Sequence, residues 1–238
     1  GLVAAGLGAH WLVRREAPAP RLIASATGQR RSLALPDGSQ LILDAASRVA
    51  LDFTPERRTV HLERGAAHFD VAHDPARPFE VFTPQARMEA LGTRFSVDRL
   101  SRASELRVYQ GRVALALRDG PAGFAAPRTL PAREWVLIGD RALLGRGRFD
   151  PASGADWQND WLDAQAMPLG QALERLGRYT PLALQLADPA DAARTFSGRF
   201  RLDHPERSLA LIGALFALRL EHRTNALVLV PEAPAARA

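Results

Sequence analysis

The stretch AAHFDVAHD, residues 66–74, gathers four side chains able to bind a metal ion: His68, Asp70, His73 and Asp74. A tightly held divalent cation needs such groups converging on one point. In an extended strand His68 and Asp70 share a face and His73 falls on the other, so the spacing argues against a metal and none is assigned. His10, His61, His204 and His222 lie in unrelated places, where solvated or capping roles suffice. Asp37 and Asp44 in LPDGSQLILD form a nominal acid–base pair, but an Asp in an Asp-Gly turn ordinarily bonds its own backbone. The chain has no cysteine, which excludes a disulfide framework, a thiolate metal site and a cysteine nucleophile. No nucleophile elbow, phosphate loop or dinucleotide fingerprint occurs, and no pair of carboxylates stands out as a glycosidase pair. No cofactor is expected.

The charge balance points to no obvious polyanion either. The formal net charge is +5, and all 31 basic residues are arginine, but the runs GQRRS and PERRTV are short and the arginines are spread along the chain. A nucleic-acid binder clusters its charge on one face or tail. Absence of lysine reads as a codon bias. Phe69, Phe79, Phe82 and Phe95 fit core positions as well as base platforms, so no nucleic-acid partner is expected.

The elements that position these residues change character along the chain. GLVAAGLGAHWLV is apolar apart from His10 and stops at RRE and the Pro-Ala run that follows. It is too short for a whole span of about 20 residues, so residues 1–16 are expected to be the end of a truncated membrane helix or a signal remnant, with Trp11 and Arg14 as interfacial anchors. Residues 17–31 read as a linker. From 32 to 145 short period-two runs follow one another: SLAL and LILD flank the Asp-Gly turn, then TVHL, AHFDV, FEVF, RFSV, ELRVY and RVALAL. That is a mainly β domain, a roll, solenoid or sandwich. Residues 146–156, in the Gly-, Pro-, Ala- and Asp-rich stretch from Arg146 to Asn159, read as a second linker.

Residues 157–232 read as a small α+β domain of two helix–strand units. Leu169, Ala172, Leu173 and Leu176 recur at helical spacing with Pro168 in the first turn, and Leu182, Leu184 and Leu186 share one strand face. In the second unit Asp203 and Pro205 open a helix whose expected buried stripe is Leu209, Ile212, Leu215 and Phe216. LRLEHRT and ALVLV close it as a hairpin. Residues 233–238 are an expected loose tail.

Several elements occur together in a family's order: Leu35-Pro36-Asp37-Gly38-Ser39, Phe69-Asp70-Val71, Arg77-Pro78-Phe79, Leu91-Gly92-Thr93-Arg94-Phe95 and Gly111-Arg112-Val113. On these the first domain resembles the FecR family of iron-transport regulators. The second domain resembles the secretin and TonB short N-terminal (STN) domain that ends such regulators, and the likeness spans about Thr27 to Val230. Ala66 stands where the family often has glutamate, and Leu130 to Glu134 lacks the glycine usual in that turn.

The resemblance implies a single-pass inner-membrane regulator, an anti-sigma factor of cell-surface signalling, with this chain mostly periplasmic. Its implied partners are the periplasmic signalling domain of an outer-membrane TonB-dependent transporter that binds a ferric siderophore, and an extracytoplasmic-function (ECF) sigma factor bound by an upstream segment missing here. Small α+β domains can dock by strand edges, and the strand TFSGRFRL, with Phe196, Arg199 and Arg201, is the expected contact. Some regulators of this type cut themselves, which marks Gly92 and Thr93: the Thr93 hydroxyl would attack the Gly92 carbonyl in a strained turn that glycine permits. The chain is otherwise expected not to be an enzyme. A secreted or periplasmic β-rich carbohydrate-binding module or enzyme is the alternative, and it requires a carboxylate pair or aromatic platform in a cleft.

Overall fold

The structure, a computed structural model, describes residues 20–119 and 123–232. The expected membrane-helix end and C-terminal tail lie outside these residues. Among the described residues no helix is long and apolar enough to cross a membrane.

The first fourteen strands form one curled sheet. They are β1 (Arg21–Ala24), β2 (Arg31–Ala34), β3 (Gln40–Leu43), β4 (Arg48–Phe53), β5 (Arg58–Asp70), β6 (Phe79–Phe82), β7 (Ala86–Ala90), β8 (Arg94–Arg99), β9 (Ser104–Gln110), β10 (Arg112–Asp119), β11 (Gly123–Phe124), β12 (Arg128–Pro131), β13 (Glu134–Ile138) and β14 (Leu143–Arg148). Strand β5 is the axis of the curl. Its first half pairs with β4 and, in parallel, with β6; its second half pairs with β3 and β8. The sequence suggested two strands here, TVHL and AHFDV, split at Gly65. They are one, because Gly65 bends the strand without ending it, at φ +77°, where a Cβ would stand 2.1 Å from Ser47 Oγ.

The period-two side chains meet inside this curl. Leu41, Leu43, Val60, Leu62, Met88, Val97 and Leu106 are fully buried. Phe69 packs against Phe79 and Phe95 with ring centroids 5.4 and 5.2 Å apart. Both expected linkers are shorter than the sequence indicated. β1 lies within 17–31 and pairs with β4, burying Ile23; a four-residue strand with one inward side chain is too short to show a period. β14 extends to Arg148 against β13, its Gly145 and Gly147 leaving room for the Trp135 ring, so those glycines are strand residues and not linker.

A second apolar core gathers the C-terminal unit. Strand β15 (Trp161–Pro168) leads into helix α1 (Leu169–Leu176), then β16 (Ala183–Leu186); β17 (Thr195–Arg201) leads into helix α2 (Pro205–Ala214), then β18 (Leu218–Arg223) and β19 (Ala226–Pro231). β15 pairs with β17, while β19 lies between β16 and β18. Pro168 caps α1 instead of entering its first turn. α2 buries Ser208, Leu209, Ile212 and Gly213, and a Cβ on Gly213 would lie 2.6 Å from Leu229, so glycine lets the helix sit close on the sheet. Leu215, expected in the buried stripe, is 58% exposed: it follows the last residue of α2, where the 3.6 period no longer applies.

Candidate functional site

The chain passes from β7 to β8 through Leu91, Gly92 and Thr93. Backbone bonds hold this turn on both sides: the Val71 N–H donates to the Thr93 carbonyl and the Asp74 N–H to the Leu91 carbonyl, each at 3.0 Å. The opposing segment brings His73 onto Gly92. A Cβ at Gly92 would stand 2.7 Å from His73 Nδ1 and 3.2 Å from His73 Cα. Gly92 does not have a positive φ; the glycine is required by this close approach and not by its φ. Gly111, at φ +80°, closes the other side, where a Cβ would meet Thr93 Cγ2 at 2.9 Å and the Gly92 carbonyl oxygen at 3.3 Å. Thr93 is buried, and among the described residues its Oγ1 has no hydrogen-bond partner. A buried hydroxyl without a partner is costly and is chemically available.

The segment carrying His73 is clamped from inside the core. Arg58, fully buried at the start of β5, donates to the carbonyls of Ala72 and Arg77 at 2.9 and 2.7 Å, to that of Asp74 at 3.3 Å, and to Asp37 Oδ2 at 2.9 Å. Its guanidinium lies 5.6 Å from the Phe79 ring centroid. Asp37 bonds its own turn as expected, accepting from Ser39 N at 3.1 Å and Ser39 Oγ at 2.6 Å. The sequence did not show that Asp37 also neutralises a buried arginine.

A second polar constellation lies where α1 and the 3₁₀ turn Gly177–Tyr179 meet the sheet. Arg175 donates to Asp98 at 2.7 Å and to Glu105 at 3.0 Å. Arg178 bonds Asp98 and, at 3.2 Å, Asp44. The Tyr179 hydroxyl donates to Asp44 and accepts from Arg30, at 2.9 Å, which also reaches Asp160 at 2.6 Å. Each of the two helix arginines thus has two carboxylates, which buried cations require. Burial opposes ionisation of Asp98, but Arg178 and Arg175 outweigh it and hold its pKa below the ordinary carboxylate value. At Asp44 burial prevails over Arg178 and Tyr179, and the pKa is raised. Burial and Asp44 raise that of Tyr179. A cavity of about 40 Å³ lies beside these groups, walled by Ser96, Trp157, Trp161 and Met167. The two cores are therefore joined by ion pairs, and Asp44 serves this junction and no acid–base pair with Asp37.

The expected contact strand is β17. Phe196, expected at the contact, is buried, with its ring 5.5 Å from Phe200 and 6.2 Å from Phe216, and packs in the core. Arg199 is exposed and pairs with Asp163 at 3.3 Å. Arg201 pairs with Asp203 and lies 4.9 Å from the Trp161 ring. Among the described residues β15 and β17 pair only with each other.

The four side chains of AAHFDVAHD go to separate partners. Asp70 pairs with Arg94 at 3.1 Å and Asp74 with Arg77 at 2.9 Å. His73 faces Gly92. His68 Nδ1 is 3.1 Å from Gln158 Nε2 and its ring packs on Tyr109; burial pushes its pKa down to about 4. Among the described residues no group of three or more His, Cys, Asp or Glu could hold a metal ion. Sequence reasoning missed the junction. Its one signal was Arg175, which falls between Leu173 and Leu176 on the buried arc of α1.

Comparison with known proteins gives a family match for part of the sheet and a fold for the chain. Residues 21–114 match the model of the FecR protein family. Two crystal structures of a candidate anti-sigma factor from Parabacteroides distasonis, at 2.50 and 1.65 Å resolution, superpose with TM-scores of 0.77 at 23% and 22% identity, covering 90% of this chain and all of theirs. At that identity the likeness is one of fold. No curated protein matches the chain.

Proposed function

We propose, from the premise that residues 21–114 are a FecR region, that the chain is the signal-receiving part of a single-pass inner-membrane regulator acting on a sigma factor. The FecR match carries this reading, since it covers the strands that hold both the Gly92–Thr93 turn and the acidic side of the junction. The C-terminal unit, an STN-like α+β domain in this reading, would receive the periplasmic signalling domain of a TonB-dependent transporter occupied by a ferric siderophore. An ECF sigma factor would take the signal inside. The β15–β17 pair offers strand edges for such docking, with Arg199 and Arg201 beside them and Phe196 behind them in the core. Calorimetry of the chain with the isolated signalling domains of transporters encoded beside it tests this. Saturable binding to one of them, weakened at least tenfold by Arg199→Glu with Arg201→Glu, is expected. No binding to any refutes the partner.

One observation favours a second activity on the same scaffold, self-cleavage between Gly92 and Thr93. It is the buried Thr93 hydroxyl without a partner among the described residues, in a turn held by backbone bonds on both sides. Purified chain run on a denaturing gel should resolve into two fragments, and Thr93→Ala should stay whole. Intact wild-type chain after prolonged incubation refutes it.

A further inference from the structure

We propose that the His73 imidazole is the acid–base group of the Gly92–Thr93 acyl shift; this rests on the self-cleavage reading above. Three observations carry it. The ring lies against the scissile residue, with Nδ1 2.7 Å from where a Gly92 Cβ would stand. The backbone beneath the ring cannot drift, because buried Arg58 holds the carbonyls of Ala72, Asp74 and Arg77 while Val71 and Asp74 bond the turn itself. The neighbouring charged groups are engaged elsewhere: Asp74 with Arg77, Asp70 with Arg94, and Arg58 with Asp37. Among the described residues Thr93 Oγ1 has no hydrogen-bond partner, and an alcohol needs a base to become a nucleophile near neutral pH.

The step balances with these groups alone. The imidazole takes the Thr93 hydroxyl proton, directly or through one water. Oγ1 bonds to the Gly92 carbonyl carbon, the C–N bond breaks, and the imidazolium returns its proton to the departing Thr93 nitrogen. The product is an ester between Gly92 and the Thr93 side chain, with a free amine at Thr93. One water then attacks the ester carbon, leaving a Gly92 carboxylate and restoring the Thr93 hydroxyl.

The test compares cleavage rates of the wild-type chain, His73→Gln and Thr93→Ala, with and without added imidazole and hydroxylamine. General acid–base groups typically contribute 10²- to 10⁴-fold, so His73→Gln should slow cleavage at least about 100-fold. His73 is exposed, so the variant should keep its melting temperature. Imidazole should restore part of the rate. Hydroxylamine, which attacks esters far faster than amides, should speed cleavage of the wild-type chain and leave both variants unchanged. Wild-type cleavage with an equal rate in His73→Gln, Thr93→Ala remaining whole, overturns the role of His73 and leaves self-cleavage standing. A wild-type chain that stays whole even with hydroxylamine overturns both.

Discussion

Asp98→Ala is the most direct probe of the junction between the sheet and the C-terminal unit. The carboxylate, about one-tenth exposed, accepts from Arg175 Nε at 2.7 Å and from Arg178. Breaking a buried ion pair by removing one partner costs about 3–5 kcal/mol, because the other charge is left uncompensated. Here both arginines retain a second carboxylate, Glu105 at 3.0 Å and Asp44 at 3.2 Å. The expected loss therefore lies at the lower end, about 3 kcal/mol. Urea unfolding followed by tryptophan fluorescence reads it, since Trp157 and Trp161 wall the adjoining cavity. With a slope of about 2 kcal/mol per molar urea the midpoint should fall by roughly 1.5 M. Arg178→Met should be partly redundant with it, a double-mutant cycle giving about 1 kcal/mol or more of coupling. Raising the ionic strength should leave the effect in place, because buried pairs are weakly screened. A loss within about 0.5 kcal/mol, the scale of a surface substitution, would show that these ion pairs do not hold the two cores together.

Three other outcomes follow from the described geometry. His68 titrates at about 4 when folded and near 6.5 when unfolded, so its neutral form stabilises the protein fully above pH 6.5 and that stability is lost as pH falls toward 4. At about 1.36 kcal/mol per unit this amounts to roughly 3 kcal/mol, and His68→Gln should flatten that part of a stability–pH curve. Gly65→Ala should cost at least about 2 kcal/mol in thermal unfolding, since a Cβ there meets Ser47 and the φ is left-handed. Ile212→Ala should cost about 2–5 kcal/mol and Leu215→Ala almost nothing, because one is fully buried and the other 58% exposed; equal losses in chemical denaturation would contradict the packing of α2.

Much of the architecture was legible because it rests on local pattern. The Asp-Gly turn, the period-two runs and the spacing of Leu169, Ala172, Leu173 and Leu176 follow from backbone geometry within a few residues. What escaped depends on residues far apart in sequence. Asp44 looked like part of a hairpin, yet its partner Arg178 is 134 positions away. Arg58 stood out only as part of the short run PERRTV, and the curl of β5 carries it inside to Asp37. The contact of His73 with Gly92 is tertiary and invisible to turn rules. Phe196 read as a contact residue because an apolar side chain in an edge strand carries no mark of which face it occupies.

The curl of β5 has a consequence for the order in which the chain can assemble. This strand borders β3, β4, β6 and β8, so neither wall of the sheet is complete without it. Its parallel pairing with β6 sets Arg58 beside Phe79, a contact that a run of simple hairpins never makes. Closing that ring costs chain entropy before the core returns any of it. The bend at Gly65 sets one half of β5 in each wall, between β4 and β6 on one side and between β3 and β8 on the other. A single residue lacking a side chain thus sits at the point where two growing walls become one molecule.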